Sequence, residues 1–424
     1  MTDRAPRLLT PLGRQGIALP LALLGLVVVT LLVTTVLVSS GTEFAVSSAQ
    51  RDASRSLYDA NGALEQYVAT QAQSAASSTR FVEGTASTTF NGVPYTLSLA
   101  RVSRVKTLDT PTLVNATDTW SVIASPTAKG RGVGALVKVT RTLSKITLNV
   151  TAGATSGGDF SVGGNATISN GRTGQVGCAN GDTVASSIMV TAGSQIDTTG
   201  NSTVIEGQST ISTIVRDSLM NTVLGRGVTL DTLAKYANIK FGARFGRPEW
   251  NNGVRPKQTY DLTTTDSVYN WGCPQADLTN TVTCSAAAAN RFVVVAIDAT
   301  NLGNQGGLNN AVTLNGDYGQ GILIILNGSL NVQGNFIFRG IILVDQDLSI
   351  GGSAGGNSFS GKIEGTVVAF GTQSSVEDNV NGTATIRYNK CSVVDAQNAL
   401  NNGRLDDMPQ VLSNSTFAWY ELVR

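Results

Sequence analysis

From Ile17 to Val38 the chain reads IALPLALLGLVVVTLLVTTVLV, without a single charged side chain. Twenty-two helical residues reach about 33 Å, the thickness of a bilayer's hydrocarbon core. One membrane span is therefore the first expectation. Arg4, Arg7 and Arg14 precede the run against a lone Asp3, and Glu43 is the first charge after it. That asymmetry places the N-terminus in the cytoplasm and the remainder across the membrane. The competing reading is a secretory signal peptide cut near Val38-Ser39-Ser40, although the apolar core of such a peptide ordinarily runs only about 7–15 residues.

The next stretch, Glu43 to Ala76, has no proline and one glycine, with Ala53, Leu57, Ala60, Leu64, Tyr67 and Val68 at spacings of three and four. This predicts an amphipathic helix continuing in register from the span. A basic leader ending in Gly16, followed by a helix that is apolar first and amphipathic afterwards, resembles a type IV prepilin, most closely a minor pilin with a PilX-type N-terminus. The resemblance covers residues 1–76. It implies that a membrane prepilin peptidase cuts the Gly16-Ile17 bond, that the new N-terminus is methylated, and that the helix packs against other pilin subunits. Two departures stand out. The fifth residue of the processed chain, Glu in the family, is Leu21 here, and the first, often Phe, is Ile17. The family's Glu is thought to meet the free amine of a neighbouring subunit, so its loss suits a tip or initiating position.

Charge is balanced, with 30 Lys and Arg against 29 Asp and Glu, which leaves no electrostatic footprint for nucleic acid. Only 14% of residues are charged while glycine reaches 46, a composition that favours β structure with many tight turns. The four cysteines, Cys178, Cys273, Cys284 and Cys391, all follow the span and are disulfide candidates in an oxidising compartment. A local Cys273–Cys284 loop and a Cys284–Cys391 tie are both open. The chain has no histidine and no Cys-x-x-Cys pair, so no zinc site is expected.

The expected fold class is α+β, mostly β: a long N-terminal membrane helix, a small antiparallel sheet, then a repetitive domain like a parallel β-helix. The expected sections are a leader at 1–16, the helix at 17–76 and a pilin-head-like antiparallel section at 85–145. A β-helix-like domain at 146–391 with a short helical insert at 218–237 follows, and a tail at 392–424. In the second section Asn91-Gly92 marks a turn, and three strands are expected in up-and-down order over the outer half of the helix. The repeat is clearest late in the chain. Gly321-Ile-Leu-Ile-Ile-Leu leads to Leu330-Asn-Val332, and Gly340-Ile-Ile-Leu-Val leads to Leu348-Ser-Ile350. A third unit pairs Gly365-Thr-Val-Val-Ala-Phe with Thr383-Ala-Thr-Ile-Arg. A period near 20 suits β-helix coils with the apolar strands stacked inside; a β-sandwich is the competing architecture. The insert is expected to cover one end or flank of the coils, and the tail to hold a short helix near Ala396–Leu400 and a last strand, FAWYELV.

Without histidine no Ser-His-Asp triad or Cys-His dyad can form, and neither a phosphate-binding GxxxxGK[ST] loop nor a calcium nonapeptide repeat occurs. Asp345, Asp347, Glu364, Glu377 and Asp378 cluster in the repeat region and could serve a glycosidase or lyase, but Asp beside Asn and Gly is also ordinary turn chemistry. The expectation is a non-enzymatic pilin-like subunit without cofactor or metal. It would sit in a bacterial inner membrane before assembly and on a surface filament afterwards. The alternative is a permanently anchored surface β-helix protein that binds polysaccharide.

Overall fold

The computed structural model describes residues 18–73, 81–110, 112–127, 132–171, 186–200, 203–250, 270–274, 286–315, 318–334, 336–351, 362–371, 378–407, 411–412 and 418–422. Two compact units emerge, one comprising Met1–Val105, Thr117–Thr140 and Gln410–Arg424, the other Lys106–Ala116 and Arg141–Pro409.

Unit one is built on α1, Ala18–Gln73, a single unbroken helix. Its only proline, Pro20, sits in the first turn, where no intrahelical donor is lost. From Leu19 to Val38 every large apolar side chain is exposed, and the helix is long and apolar enough to cross a membrane. The hydroxyls of this run are satisfied internally: Thr30 donates to Leu26 O, Thr34 to Thr30 O at 2.8 Å and Thr35 to Leu31 O at 2.6 Å. Such back-bonding removes the cost of a bare hydroxyl in hydrocarbon.

Farther along α1 the character changes. Ala60, Ala63, Leu64 and Val68 are buried at helical spacing, as the amphipathic pattern predicts. They meet an antiparallel sheet of β1 (Gly84–Phe90), β2 (Val93–Asp109), β3 (Leu113–Pro126) and β4 (Gly132–Ser144). Leu64 and Val68 share one core with Leu97, Leu99, Trp120, Val122, Val137 and Val139, contributed by alternating inward positions of three strands. Asn91 and Gly92 turn the β1–β2 hairpin, both at positive φ, 49° and 77°, as a two-residue loop between twisted strands requires. The sheet is larger than the three strands expected. It has four, and two tail strands, Val411–Leu412 and Ala418–Leu422, also pair with β4.

Unit two is a stack of parallel coils. The N-terminal coils are β5 (Ala152–Ser156), β6 (Phe160–Gly163) and β7 (Thr167–Ser169), then β8 (Ser186–Val190), β9 (Ile196–Thr199) and β10 (Val204–Glu206), followed by β11 (Gln208–Ile211). Helices α2 (Arg216–Leu224) and α3 (Leu230–Lys235) lead to β12 (Ile239–Phe241). After α4 (Ala286–Ala289) come β13 (Val293–Asp298), β14 (Val312–Asn315), β15 (Tyr318–Leu326), β16 (Leu330–Gln333), β17 (Ile337–Val344), β18 (Leu348–Gly351), β19 (Lys362–Ala369), β20 (Asp378–Asn381) and β21 (Thr385–Arg387). Helix α5, Lys390–Asp407, closes the unit.

Among the described residues all strand pairs within β5–β21 are parallel, which favours the β-helix over the sandwich. Gly321, Gly340 and Gly365 stand in one register across β15, β17 and β19, and Leu330 faces Leu348 across β16 and β18, as the repeat predicts. The third unit is corrected. The counterpart of Leu330–Val332 and Leu348–Ile350 is β20, not Thr383–Arg387; Thr385–Arg387 forms β21, which pairs with the first part of β19 and with β7. The three glycines lie at φ +122°, +136° and +143°, and a Cβ on Gly340 would fall 2.0 Å from Gly321 O. A sharp corner held tightly against the coil below is the reason glycine recurs there.

The order of coils along the stack differs from their order in the chain. One run of neighbours is β12-β13-β15-β17-β19, and β19 continues into β5, β8 and β11, with Val367 opposite Ala154 and Ala154 opposite Ile188. The last coil of the chain thus stacks on the first. The 27 residues between Ile211 and Ile239, which include α2 and α3, carry the chain from one terminal strand to the other, a distance of about 34 Å at the usual spacing between strands.

The uniformly apolar strands are buried on both faces rather than only inside. Val293, Val295, Leu323, Ile325, Ile342 and Val367 point into the coil core. Val294, Ala296, Ile322, Ile324, Ile341 and Val368 point outward into a second core with Leu219, Val223, Leu233, Val393, Ala396 and Leu400 of the helices. Parallel strands covered on both sides read as unbroken apolar runs for this reason. At the β12 end, Phe241, Trp250 and Trp271 form an aromatic plug, with ring centroids 5.1 Å apart for Phe241–Trp250 and 5.6 Å for Trp250–Trp271.

Candidate functional site

The processing residues Gly16 and Ile17 lie outside the described residues, as do Cys178, Cys284 and Glu377. Cys273 and Cys391 are both disulfide-bonded, and no described cysteine is free. Cys391 stands in the first turn of α5, so its bond anchors that helix. Among the described residues no group of three His, Cys, Asp or Glu side chains could hold a metal ion.

The carboxylates singled out by type are drawn into the fold. Asp378 is 2% exposed and sits where the last coil meets the first. Ser156 Oγ of β5 donates to its Oδ2, and Leu348 N of β18 donates to its Oδ1 at 2.6 Å. Burial pushes its pKa up to about 7, against the pull of those two hydrogen bonds; Asp347 adds to the rise and Arg216 opposes it. Asp347 and Glu364 are each 2% exposed. Glu364 Oε2 accepts from Asn389 Nδ2 at 3.3 Å, while Asn389 Oδ1 caps α5 by accepting from Ser392 N at 3.0 Å. Asp345, partly exposed, accepts from Asn327 N at 3.2 Å, and burial raises its pKa. Placed this way, Asp347, Glu364 and Asp378 turn no open face toward a glycan, and the hydrogen bonds of Asp345, Glu364 and Asp378 join coil to coil or coil to α5.

An open site lies elsewhere in unit two, in a groove of about 450 Å³ beside α5, lined by Asn238, Asn290, Phe292, Asp395, Asn398 and Asn402 with Ala399 and Gly403. Asp395, Asn398 and Asn402 fall at i, i+3 and i+7, the face of α5 opposite the buried Val393, Ala396 and Leu400. Asn238 spends its Oδ1 on Val294 N at 2.9 Å and keeps its Nδ2 as a donor. The side-chain amides of Asn290, Asn398 and Asn402 make no hydrogen bond among the described residues. Arg339 donates to Ser392 Oγ at 3.0 Å and Asp395 Oδ2 at 3.3 Å, and lies 5.2 Å from the centroid of the Phe292 ring. Burial raises the Asp395 pKa and Arg339 lowers it. This groove did not figure in the sequence reading. Its one signal was the polar spacing Asp395-Asn398-Asn402 on the far side of an apolar stripe.

No protein-family model matches the sequence, and no curated protein is similar to it. Among solved structures, the competence-associated pilin ComZ from Thermus thermophilus aligns over 88% of this chain and 96% of its own at 12% identity, with a TM-score of 0.18. That score falls short of a shared fold.

Proposed function

We propose that this chain is a pilin-like subunit of the minor, PilX-like kind. The observation that carries the reading is α1, one continuous helix with an exposed, uncharged first half and a last third that packs one face, Ala60, Ala63, Leu64 and Val68, against an antiparallel sheet. Fourteen large apolar side chains between Leu19 and Val38 are 46–72% exposed. At roughly 1 kcal/mol each for the portion left in water, that surface needs a bilayer or neighbouring helices to cover it.

On this reading prepilin peptidase cuts Gly16-Ile17, the new amine is methylated, and the helix holds the subunit in a bacterial inner membrane. There the N-terminus is cytoplasmic until the helix packs against other pilin helices in a surface filament, a pilus or pseudopilus. Leu21 in place of Glu favours a tip or initiating position. The β region is displayed outside, and its role is binding or assembly rather than catalysis.

The test is the N-terminal sequence and intact mass of the protein from membranes of its native host. A start at Ile17, one methyl heavier, supports the reading. A start at Met1 overturns it in favour of an anchored surface protein, and a start near Gly41 overturns it in favour of a secreted one.

A further inference from the structure

The geometry points to the groove beside α5 as a binding site for a neutral oligosaccharide. Its volume, about 450 Å³, lies within the range of small-molecule sites, roughly 300–1,000 Å³. What distinguishes it is the kind of polar group present. Four asparagines line it, and the amides of Asn290, Asn398 and Asn402 bond nothing within the described protein. Each amide offers a donor pair beside an acceptor, the complement of a hydroxyl pair on adjacent carbons.

Asn398 and Asn402 stand one helical turn apart, about 6 Å along α5, so they address hydroxyls on one sugar ring or on consecutive rings. The lining offers no unpaired charge to an ionic ligand, because its one carboxylate, Asp395, is already paired with Arg339. An anionic ligand would meet that carboxylate, and a cationic one would compete with a guanidinium already in place. Phe292 adds a half-buried apolar ring, suited to the C–H face of a pyranose.

The wall is held rigid beforehand. Asn389 caps α5, Cys391 is disulfide-bonded, and Val393, Ala396 and Leu400 seat the helix in the outer core. A fixed wall lowers the ordering cost of binding. This inference is independent of the filament reading, since the groove lies wholly in unit two and is present whichever N-terminus the mature chain has.

The experiment uses the full chain in a sugar-free detergent, titrated with maltohexaose, cellohexaose and chitohexaose by calorimetry and saturation-transfer NMR, with polygalacturonate as the anionic comparator. At least one neutral hexasaccharide is expected to bind in the range of roughly 0.1–1 mM, as an open, preformed groove allows. Combined Asn398→Ala and Asn402→Ala should weaken it about tenfold or more, with a melting temperature that is not lowered, because alanine favours the helix at exposed positions. Absence of binding by all three sugars, equal binding by the double variant, or tighter binding of polygalacturonate would each overturn the inference.

Discussion

Replacing Gly340 by alanine tests the corner that lets the coils stack. The added Cβ would lie 2.0 Å from Gly321 O and 3.0 Å from Gly321 C, both backbone atoms of the neighbouring coil. No side chain can swing aside, so β15 and β17 must separate by more than 1 Å at that point. Gly340 also holds φ +136°, a conformation that costs an L-residue about 1–3 kcal/mol. Losing two or three ladder hydrogen bonds adds about 1 kcal/mol each. The total, roughly 4–5 kcal/mol, is a large share of the 5–15 kcal/mol that holds a typical domain. Gly193→Ala is the control, at φ +85° with nothing within 4 Å of the new carbon; backbone strain alone predicts about 1–2 kcal/mol there. Urea unfolding of the full chain in detergent, followed by tryptophan fluorescence, reads both, because Trp250 and Trp271 are buried in the coil core. With a slope of about 3 kcal/mol per molar urea, Gly340→Ala should lower the midpoint by about 1.5 M, and Gly193→Ala by about 0.5 M. If the two variants unfold together, the close approach is not what selects glycine at this corner.

Asp378 predicts a pH dependence. Its folded pKa of about 7 exceeds the unfolded value near 3.8, so the folded state binds the extra proton. Its contribution is fully present below about pH 4 and is lost as pH rises toward 7. Asp378→Asn should therefore flatten the melting temperature between about pH 4 and 7 and stabilise unit two above it; an unchanged profile would count against the assignment. In unit one, Arg104 Nε and Nη2 hold the fully buried Asp118 carboxylate at 2.6 and 2.9 Å. Arg104→Ala should cost about 3 kcal/mol in chemical unfolding, and a cost under about 1 kcal/mol would place the pair among weak surface bridges. Val28 lies mid-way along the exposed apolar run. Val28→Arg should lower membrane insertion by about 2.5–3.5 kcal/mol, scored as the carbonate-resistant fraction; full retention would argue against a span centred there.

Local pattern was enough to place what depends on neighbours in the chain. The uncharged run, the amphipathic continuation through Leu64 and Val68, the Asn91-Gly92 hairpin and the Gly321-Gly340-Gly365 register all rest on periods of 2, 3.6 or about 20 residues. Each is repeated often enough to be read without a fold. The candidate site was less legible. Carboxylates were selected by residue type, yet whether Asp378 faces solvent or a seam depends on which coil lies beside it. Asn398 falls inside the short helix expected near Ala396–Leu400 and Asn402 beyond it, so the two share one wall only once α5 is seen to extend from Lys390 to Asp407 and to bury its other face.

The sequence by itself determined a membrane-length helix, an antiparallel section and a set of parallel coils. Only the tertiary structure decided their closure. Val367 pairs with Ala154, more than 200 residues earlier, and β4 takes its last partners from the tail. The outer strand faces become a second core only because α2, α3 and α5 cover them. Any coil with apolar faces and glycine corners can stack on any other, so the strands do not encode their own order. That order follows from the connections: the α2–α3 segment carries the chain to the far terminal strand, and the remaining coils then fill the stack until the last meets the first.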